Sequence, residues 1–281
     1  MKPINKLYVS DLDGTLLDWR GQLSDGTRAG LIELLEGGCP FTLASARSVA
    51  SMKPLFEGVP IALPVVELNG AFVSDMATGE HYACQSIPSD VVREVCEKGL
   101  ATNLPPYLST FDGARDHLYY TEPINDGQLW YLSDRKESED PRLERVDDVA
   151  IGFDHQVVCV TFISPANNLV PLGDWIEEAF PGEVYTHLYE NAYDPGWFWL
   201  TVHAFEATKA SGLAILAERL DVPLRDVTVF GDNINDISMF REAGYGVAVK
   251  NAEPDLKRHA DEIVGTNEED AVVAWLRGEW K

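Results

Sequence analysis

Two aspartates stand one residue apart at the end of a short apolar run, Leu7-Tyr8-Val9-Ser10-Asp11-Leu12-Asp13-Gly14-Thr15. Residues i and i+2 of an extended segment point the same way, so both carboxylates can address one site. Two anions held that close are costly unless a cation or a shared proton separates them. Far downstream, Gly231-Asp232-Asn233-Ile234-Asn235-Asp236 follows a second apolar run, Val227-Thr228-Val229-Phe230. If the two runs are neighbouring strands, Asp11, Asp13, Asp232 and Asp236 converge, and hard carboxylate oxygens with waters suit an octahedral Mg2+ ion. Each piece alone has a plainer explanation. Asp11 and Asp13 form a turn before a glycine, and Asp232 and Asn233 cap a helix. The pair of motifs favours the metal.

Ser45 follows the apolar run Pro40-Phe41-Thr42-Leu43-Ala44 and precedes a helical stretch. Its hydroxyl and the nearby backbone N–H groups suit a phosphate oxygen, and helix capping explains the same serine. Lys209 falls in the first turn of a helix expected over residues 206–219. On composition it is a solvated lysine, but its helix begins where the chain returns to its first pattern, so its charge can offset carboxylates and a phosphoryl group. Arg47 serves either that group or the surface.

Forty-six acidic residues against 22 basic ones give a formal net charge of −24 over 281 residues. Such a field repels nucleic acid and anionic membranes, and no Lys/Arg cluster interrupts it. It also repels a small phosphate ester, so a phosphate site here requires a cation or local donors. Cys39, Cys84, Cys96 and Cys159 are widely spaced and read as reduced, mostly buried thiols. The first residues lack an apolar signal region, and no run approaches the roughly 18 apolar residues of a membrane span. The expected location is the cytoplasm, and the expected assembly a monomer or homodimer.

The elements that would position these groups alternate strand and helix with short loops, which predicts a doubly wound parallel sheet. Near residue 84 the texture changes to short β-like runs, helices and a charged stretch, and near residue 204 the first texture returns. The expected fold is therefore an α/β, Rossmann-like core formed by residues 1–84 and 204–281, with an inserted α+β cap at 85–203. Within it, Ser24 or Asp25 caps a first helix, Ile61–Leu63 and Val65–Leu68 form strands, and Asn69-Gly70 makes a tight turn. Ser89 or Asp90 caps a helix over 88–100, and residues 134–148 form an exposed loop or edge. Tyr119, Tyr120, Trp130, Trp197 and Trp199 are read as core packing of the insert rather than a platform for a sugar.

The ordered set Asp11-Leu12-Asp13-Gly14-Thr15, Leu43-Ala44-Ser45-Ala46-Arg47, Asn69-Gly70-Ala71, Thr208-Lys209 and Gly231-Asp232-x-x-Asn235-Asp236 resembles the haloacid dehalogenase superfamily. Gly246–Ala252 and His259-Ala260-Asp261 extend the likeness to its Cof-type (type IIB) branch, which includes sugar phosphatases and mannosyl-phosphoglycerate phosphatases. The resemblance implies that Asp11 is a nucleophile forming an aspartyl-phosphate. Asp13 would be the general acid and then the base. Asp11, the Asp13 carbonyl and Asp232 would hold Mg2+, with Asp236 on the ion or behind it. Ser45, Lys209, Asn235 and the Leu12 N–H would bind the phosphoryl group. The implied substrate is a small phosphorylated metabolite, with sugar phosphates foremost. A phosphatase for a glycosyl-phosphoglycerate, a phosphomutase, and a non-catalytic ligand-binding module are the alternatives. Ser45-Ala46-Arg47 departs from the Thr-Gly-Arg of many relatives, and Phe205-Glu206-Ala207 before Thr208 is poorer in Gly and Pro than expected.

Overall fold

The computed structural model describes residues 4–191 and 193–280. They divide into two compact units, Met1–Ala83 with Thr208–Lys281, and Cys84–Ala207. In chain order the first segment holds β1 (Leu7–Ser10), α1 (Asp25–Glu36), β2 (Phe41–Leu43), α2 (Val49–Met52), β3 (Val65–Glu67), β4 (Phe72–Ser74) and β5 (His81–Cys84). The middle holds α3 (Ser89–Ala101), β6 (Tyr107–Phe111), β7 (Asp116–Tyr120), α4 (Asp126–Glu137), β8 (Leu143–Arg145), β9 (Gln156–Ser164), α5 (Ala166–Ala179), β10 (Val184–Glu190) and β11 (Phe198–Ala204). The last segment holds α6 (Lys209–Arg219), β12 (Val227–Gly231), α7 (Ile237–Glu242), β13 (Tyr245–Ala248), α8 (Pro254–Lys257), β14 (Glu262–Ile263) and α9 (Ala271–Glu279).

The first unit is built on a parallel sheet of order β14-β13-β12-β1-β2. β1 is an interior strand between β12 and β2, and all four of its residues are buried, as expected of a strand covered on both faces. The register pairs Leu7 with Val227 and Ser10 with Phe230, so the two aspartate-bearing motifs leave the sheet side by side. A parallel bridge from Ala44 to Val66 extends this sheet towards β3, which pairs antiparallel with β4. Ser24 caps α1 by accepting the Thr27 N–H, and Thr208 caps α6 in a reciprocal pairing with Ser211. α1 packs on α9, where the tyrosine ring of Tyr8 meets Trp275 edge-on, and α6 packs on α7.

The second unit is a sheet of order β10-β11-β9-β6-β7-β8, antiparallel except for β7 beside β8. A Cβ added to Gly99 of α3 would meet Phe162 at 2.3 Å, and one on Gly173 of α5 would meet Leu200 at 3.3 Å, so both helices cover the face those side chains share. The other face carries Tyr107, Tyr120, Ile163 and Trp199, packed with Tyr131 of α4. Trp130 and Trp197 pack partly against this cluster, and Trp197 lies so close to α4 that only glycine fits at position 127. These aromatics are core residues of the unit.

The boundaries fall at 83/84 and 207/208, where the sequence placed them at 84/85 and 203/204. β11 runs on to Ala204, the Phe205 N–H donates to Glu183, and the Tyr185 hydroxyl donates to the Ala207 carbonyl, so residues 204–207 stay with the second unit. Four local expectations are corrected. Ile61–Leu63 is not a strand, because Pro60 and Pro64 on either side remove two amide donors. Pro88 precedes α3 without a side-chain cap, and Ser89 is already helical. α6 begins at Lys209, not near Glu206, because Thr208 supplies the cap. Residues 134–148 are only in part the expected exposed loop or edge: β8 is the edge strand of its sheet, but α4 continues to Glu137, and Asp140 and Arg142 are buried.

Candidate active site

Asp11 follows the last residue of β1, and its N–H donates to the Phe230 carbonyl at 3.0 Å, which ties it to the end of β12. Lys209 is the first residue of α6, and its Nζ reaches Asp11 Oδ1 at 2.5 Å and Asp236 Oδ1 at 2.6 Å. The second oxygen of Asp236 accepts the Asp232 and Asn233 N–H groups, each at 3.0 Å. Thr15 donates its hydroxyl to Asp232 Oδ1 at 2.9 Å. Carboxylate oxygens from Asp11, Asp232 and Asp236 all lie within 4.8 Å of one another. The site is inside the protein: Asp11 is 6% exposed, Lys209 2% and Asp236 0%.

Two glycines make room for these charges. Gly14 has φ +77°, and a Cβ there would sit 2.4 Å from an Asp232 oxygen; one on Gly231 would sit 2.7 Å from an Asp236 oxygen. Gly70, with φ +98°, approaches so closely that a Cβ would stand 2.0 Å from the Thr208 carbonyl oxygen. The neighbouring Asn69 accepts the Asn235 side-chain N–H at 3.0 Å, so Asn69-Gly70 touches both the start of α6 and the last motif.

Three carboxylates against one ammonium leave the cluster short of positive charge. Burial, opposed by Lys209 and reinforced by Asp236 and Asp232, raises the Asp11 carboxyl well above its usual range. Burial and the neighbouring Asp236 push Asp232 up to about 6, against the bond from Thr15. Burial would depress the Lys209 ammonium, but Asp11 and Asp236 more than reverse that and hold it above its ordinary value.

Asp13, expected to converge with these carboxylates, is not among them. Its carboxylate is gripped by Arg47, Nε to Oδ2 at 2.8 Å and Nη2 to Oδ1 at 2.7 Å, and the side chain is 42% exposed. Ser45 is buried, with its hydroxyl accepting the Arg47 N–H at 3.1 Å. Leu12 is buried between the two aspartates, and its carbonyl accepts the N–H groups of residues 15–17. The structure thus gathers Asp11, Asp232, Asp236 and Lys209 into one cluster and ties Asn235 to Asn69. Asp13 and Ser45 meet through Arg47. Sequence reasoning read Thr15 and Asn69 only as turn residues and assigned no site role to them or to Asn251, whose side chain donates to the Gly14 carbonyl at 2.7 Å. A hydroxyl two residues beyond Asp13 and an Asn-Gly pair after a strand were the available signals.

The profile of the haloacid dehalogenase-like hydrolases matches residues 8–276. A protein of Haemophilus influenzae described as a putative phosphatase is 26% identical over 273 residues, covering 96% of this chain and 97% of its own. The 5-amino-6-(5-phospho-D-ribitylamino)uracil phosphatase YitU of Bacillus subtilis is 26% identical over 275 residues, with 96% of each chain covered. The crystal structure of a haloacid dehalogenase-like hydrolase from Bacteroides thetaiotaomicron superposes with a TM-score of 0.83 at 25% identity, covering 99% of this chain and 100% of that one. With a family match spanning both units and an acidic cluster at the carboxyl ends of two parallel strands, the chain belongs to the haloacid dehalogenase-like hydrolases, as a phosphoric monoester hydrolase.

Proposed function

We propose that this hydrolase releases phosphate from a small phosphorylated metabolite, a sugar phosphate foremost, through an aspartyl-phosphate on Asp11. The observation that carries the reading is the buried cluster of three carboxylates around one lysine. Its excess negative charge and hard oxygen donors fit a divalent cation such as Mg2+. Asp11 and Asp232, with the Asp13 backbone carbonyl, would hold the ion. Asp236 has one oxygen on Lys209 and the other on two backbone N–H groups, so it serves better to fix Lys209 and the Asp232 turn. A bound ion supplies positive charge against the phosphoryl oxygens in a loose transition state.

The Asp11 carboxylate attacks phosphorus, forming a P–O bond as the bond to the leaving alcohol breaks, and the Asp13 carboxyl protonates that oxygen. Asp13, now ionised, takes a proton from water, whose oxygen attacks phosphorus and releases inorganic phosphate and free Asp11. Lys209, Ser45, Asn235 and the Leu12 N–H bind the phosphoryl oxygens throughout. The second unit acts as the cap that selects the substrate. Support for the substrate class comes from relatives named for phosphorylated small molecules.

The test is phosphate release from a panel of sugar phosphates and p-nitrophenyl phosphate. Asp11→Asn and chelation by EDTA each abolish it, a loss of roughly 10⁴-fold or more for the variant. Full activity in either case removes the mechanism. Transfer of the phosphoryl group to a second sugar, with no free phosphate, would identify a mutase instead.

A further inference from the structure

Glu67 ends β3 with its side chain 1% exposed, although an apolar residue there would avoid the cost of burying a charge. Its carboxylate is saturated with donors. Oε2 accepts the Val49 N–H at 2.5 Å, and Oε1 accepts the Ser74 hydroxyl at 2.5 Å. His81 Nδ1 lies 2.7 Å from that hydroxyl and 3.5 Å from Oε1, with its ring stacked on Phe72 at 3.8 Å. Ser74 donates to Glu67, so the same oxygen accepts the Nδ1 proton, and the three side chains form one directed chain.

What this chain holds is the turn after Arg47. Residues 45–47 are already strapped along β3 by their backbones: Ser45 N–H to Val66 at 2.9 Å, Asn69 N–H to Ser45 at 3.0 Å and Leu68 N–H to Arg47 at 3.0 Å. Ser48 caps α2, and Val49 is the first residue of that helix. Glu67 therefore anchors the far end of a segment whose near end carries Ser45 and Arg47, and Arg47 carries Asp13.

We propose that Glu67 is a positioning residue of the active site, fixing through Val49 the segment that places Ser45 and the Arg47–Asp13 pair. The inference rests on the reading of Asp13 as the proton donor to the leaving group. A displaced Asp13 matters most where the leaving oxygen is basic, so an alkyl phosphate suffers more than p-nitrophenyl phosphate.

The experiment compares kcat/KM for a hexose phosphate and for p-nitrophenyl phosphate, well below the melting temperature of each variant. Glu67→Ala lowers the alkyl value by roughly 10-fold to 100-fold, and the aryl value by much less. Glu67→Gln, which can keep its oxygen on Val49 and its amide N–H on Ser74, regains most of that loss and lowers the alkyl-to-aryl ratio by about 3-fold. Ser74→Ala, which leaves the Val49 bond in place, gives a shift of similar size in the same direction. If Glu67→Ala fails to fold, these two variants decide. An unchanged ratio in folded Glu67→Ala, or in both milder variants, overturns the inference. Asp13→Ala on the same two substrates separates the failures. Equal losses there overturn the proton-donor reading itself, whereas discrimination there without any in the Glu67 variants removes only the role of Glu67.

Discussion

In the second unit Asp140 and Arg142 are buried two residues apart and close on each other, Nε to Oδ1 at 2.9 Å and Nη2 to Oδ2 at 2.7 Å. Burial would raise the Asp140 carboxyl, but the bonds from Arg142 overcome it and hold it below its ordinary value. In the first unit Asp11, Asp232 and Asp236 share one ammonium, and burial leaves Asp11 and Asp232 above theirs. Both arrangements hide charge from water. In one the carboxylate is matched by arginine, Arg142 closely and Arg135 at 3.9 Å; the other sets three carboxylates against one ammonium. A buried pair that balances itself has a structural use, whereas a cluster that does not is waiting for another charged species.

Substituting the two cations sharpens this contrast most. Lys209→Met strands two buried carboxylates and Arg142→Met weakens the hold on Asp140, at about 3–5 kcal/mol each in chemical denaturation. Only Lys209→Met is also expected to lower phosphate release, by roughly 10²-fold or more, because its ammonium holds Asp11, the proposed nucleophile. Equal activity losses in the two variants, measured below both melting temperatures, would erase the distinction. The next largest effect is on metal binding. Burial and Asp236 push the Asp232 carboxyl up to about 6 in the folded chain, above the ordinary carboxylate value it regains on unfolding, so the folded chain binds the extra proton between those values. Metal-free stability therefore falls as pH climbs through that window and stays low above it. Mg2+ needs the ionised carboxylates, so its stabilisation, about 2.7 kcal/mol at a hundredfold excess over its Kd, appears at pH 7.5 and shrinks at pH 5. A thermal shift independent of pH would contradict this. The smallest effect belongs to Arg115, which meets Glu144 at 3.0 Å on the surface of the second unit. Arg115→Ala changes stability by less than about 1 kcal/mol and leaves phosphate release intact.

The carboxylates at strand ends were legible because their spacing is local: Asp11 and Asp13 are two residues apart, and Asp232 and Asp236 share one short motif. The convergence of Asp11, Asp232 and Asp236 followed from one assumption, that the two apolar runs are neighbours, and β1 does pair with β12; Asp13 was expected there too, but its carboxylate is held by Arg47. Lys209 was legible as a charge near the site, but not as a buried bridge between two carboxylates, since that contact depends on where α6 begins. Asp140 and Arg142 were misread as surface residues because composition counts charges and does not see that opposite charges two apart can close on one another. Glu67 was invisible for a similar reason. Its partners Val49, Ser74 and His81 come from three separate elements, and no pattern in the sequence joins them.

Asp11 and Lys209 are 198 positions apart, and the whole of the second unit is threaded between them. Closing so long a loop costs little more than closing a short one, about 0.6 kcal/mol for each doubling of length, so the insertion barely taxes the finished protein. Synthesis from the N-terminus is another matter. Residues 84–207 are complete before Val227 exists, while β1 waits with one edge unpaired until β12 arrives. The second unit can fold first, and the charge cluster is among the last features to assemble. A nascent chain halted before residue 227 would carry an apolar strand with one edge still unpaired, so the exposed interval lasts until β12 is made.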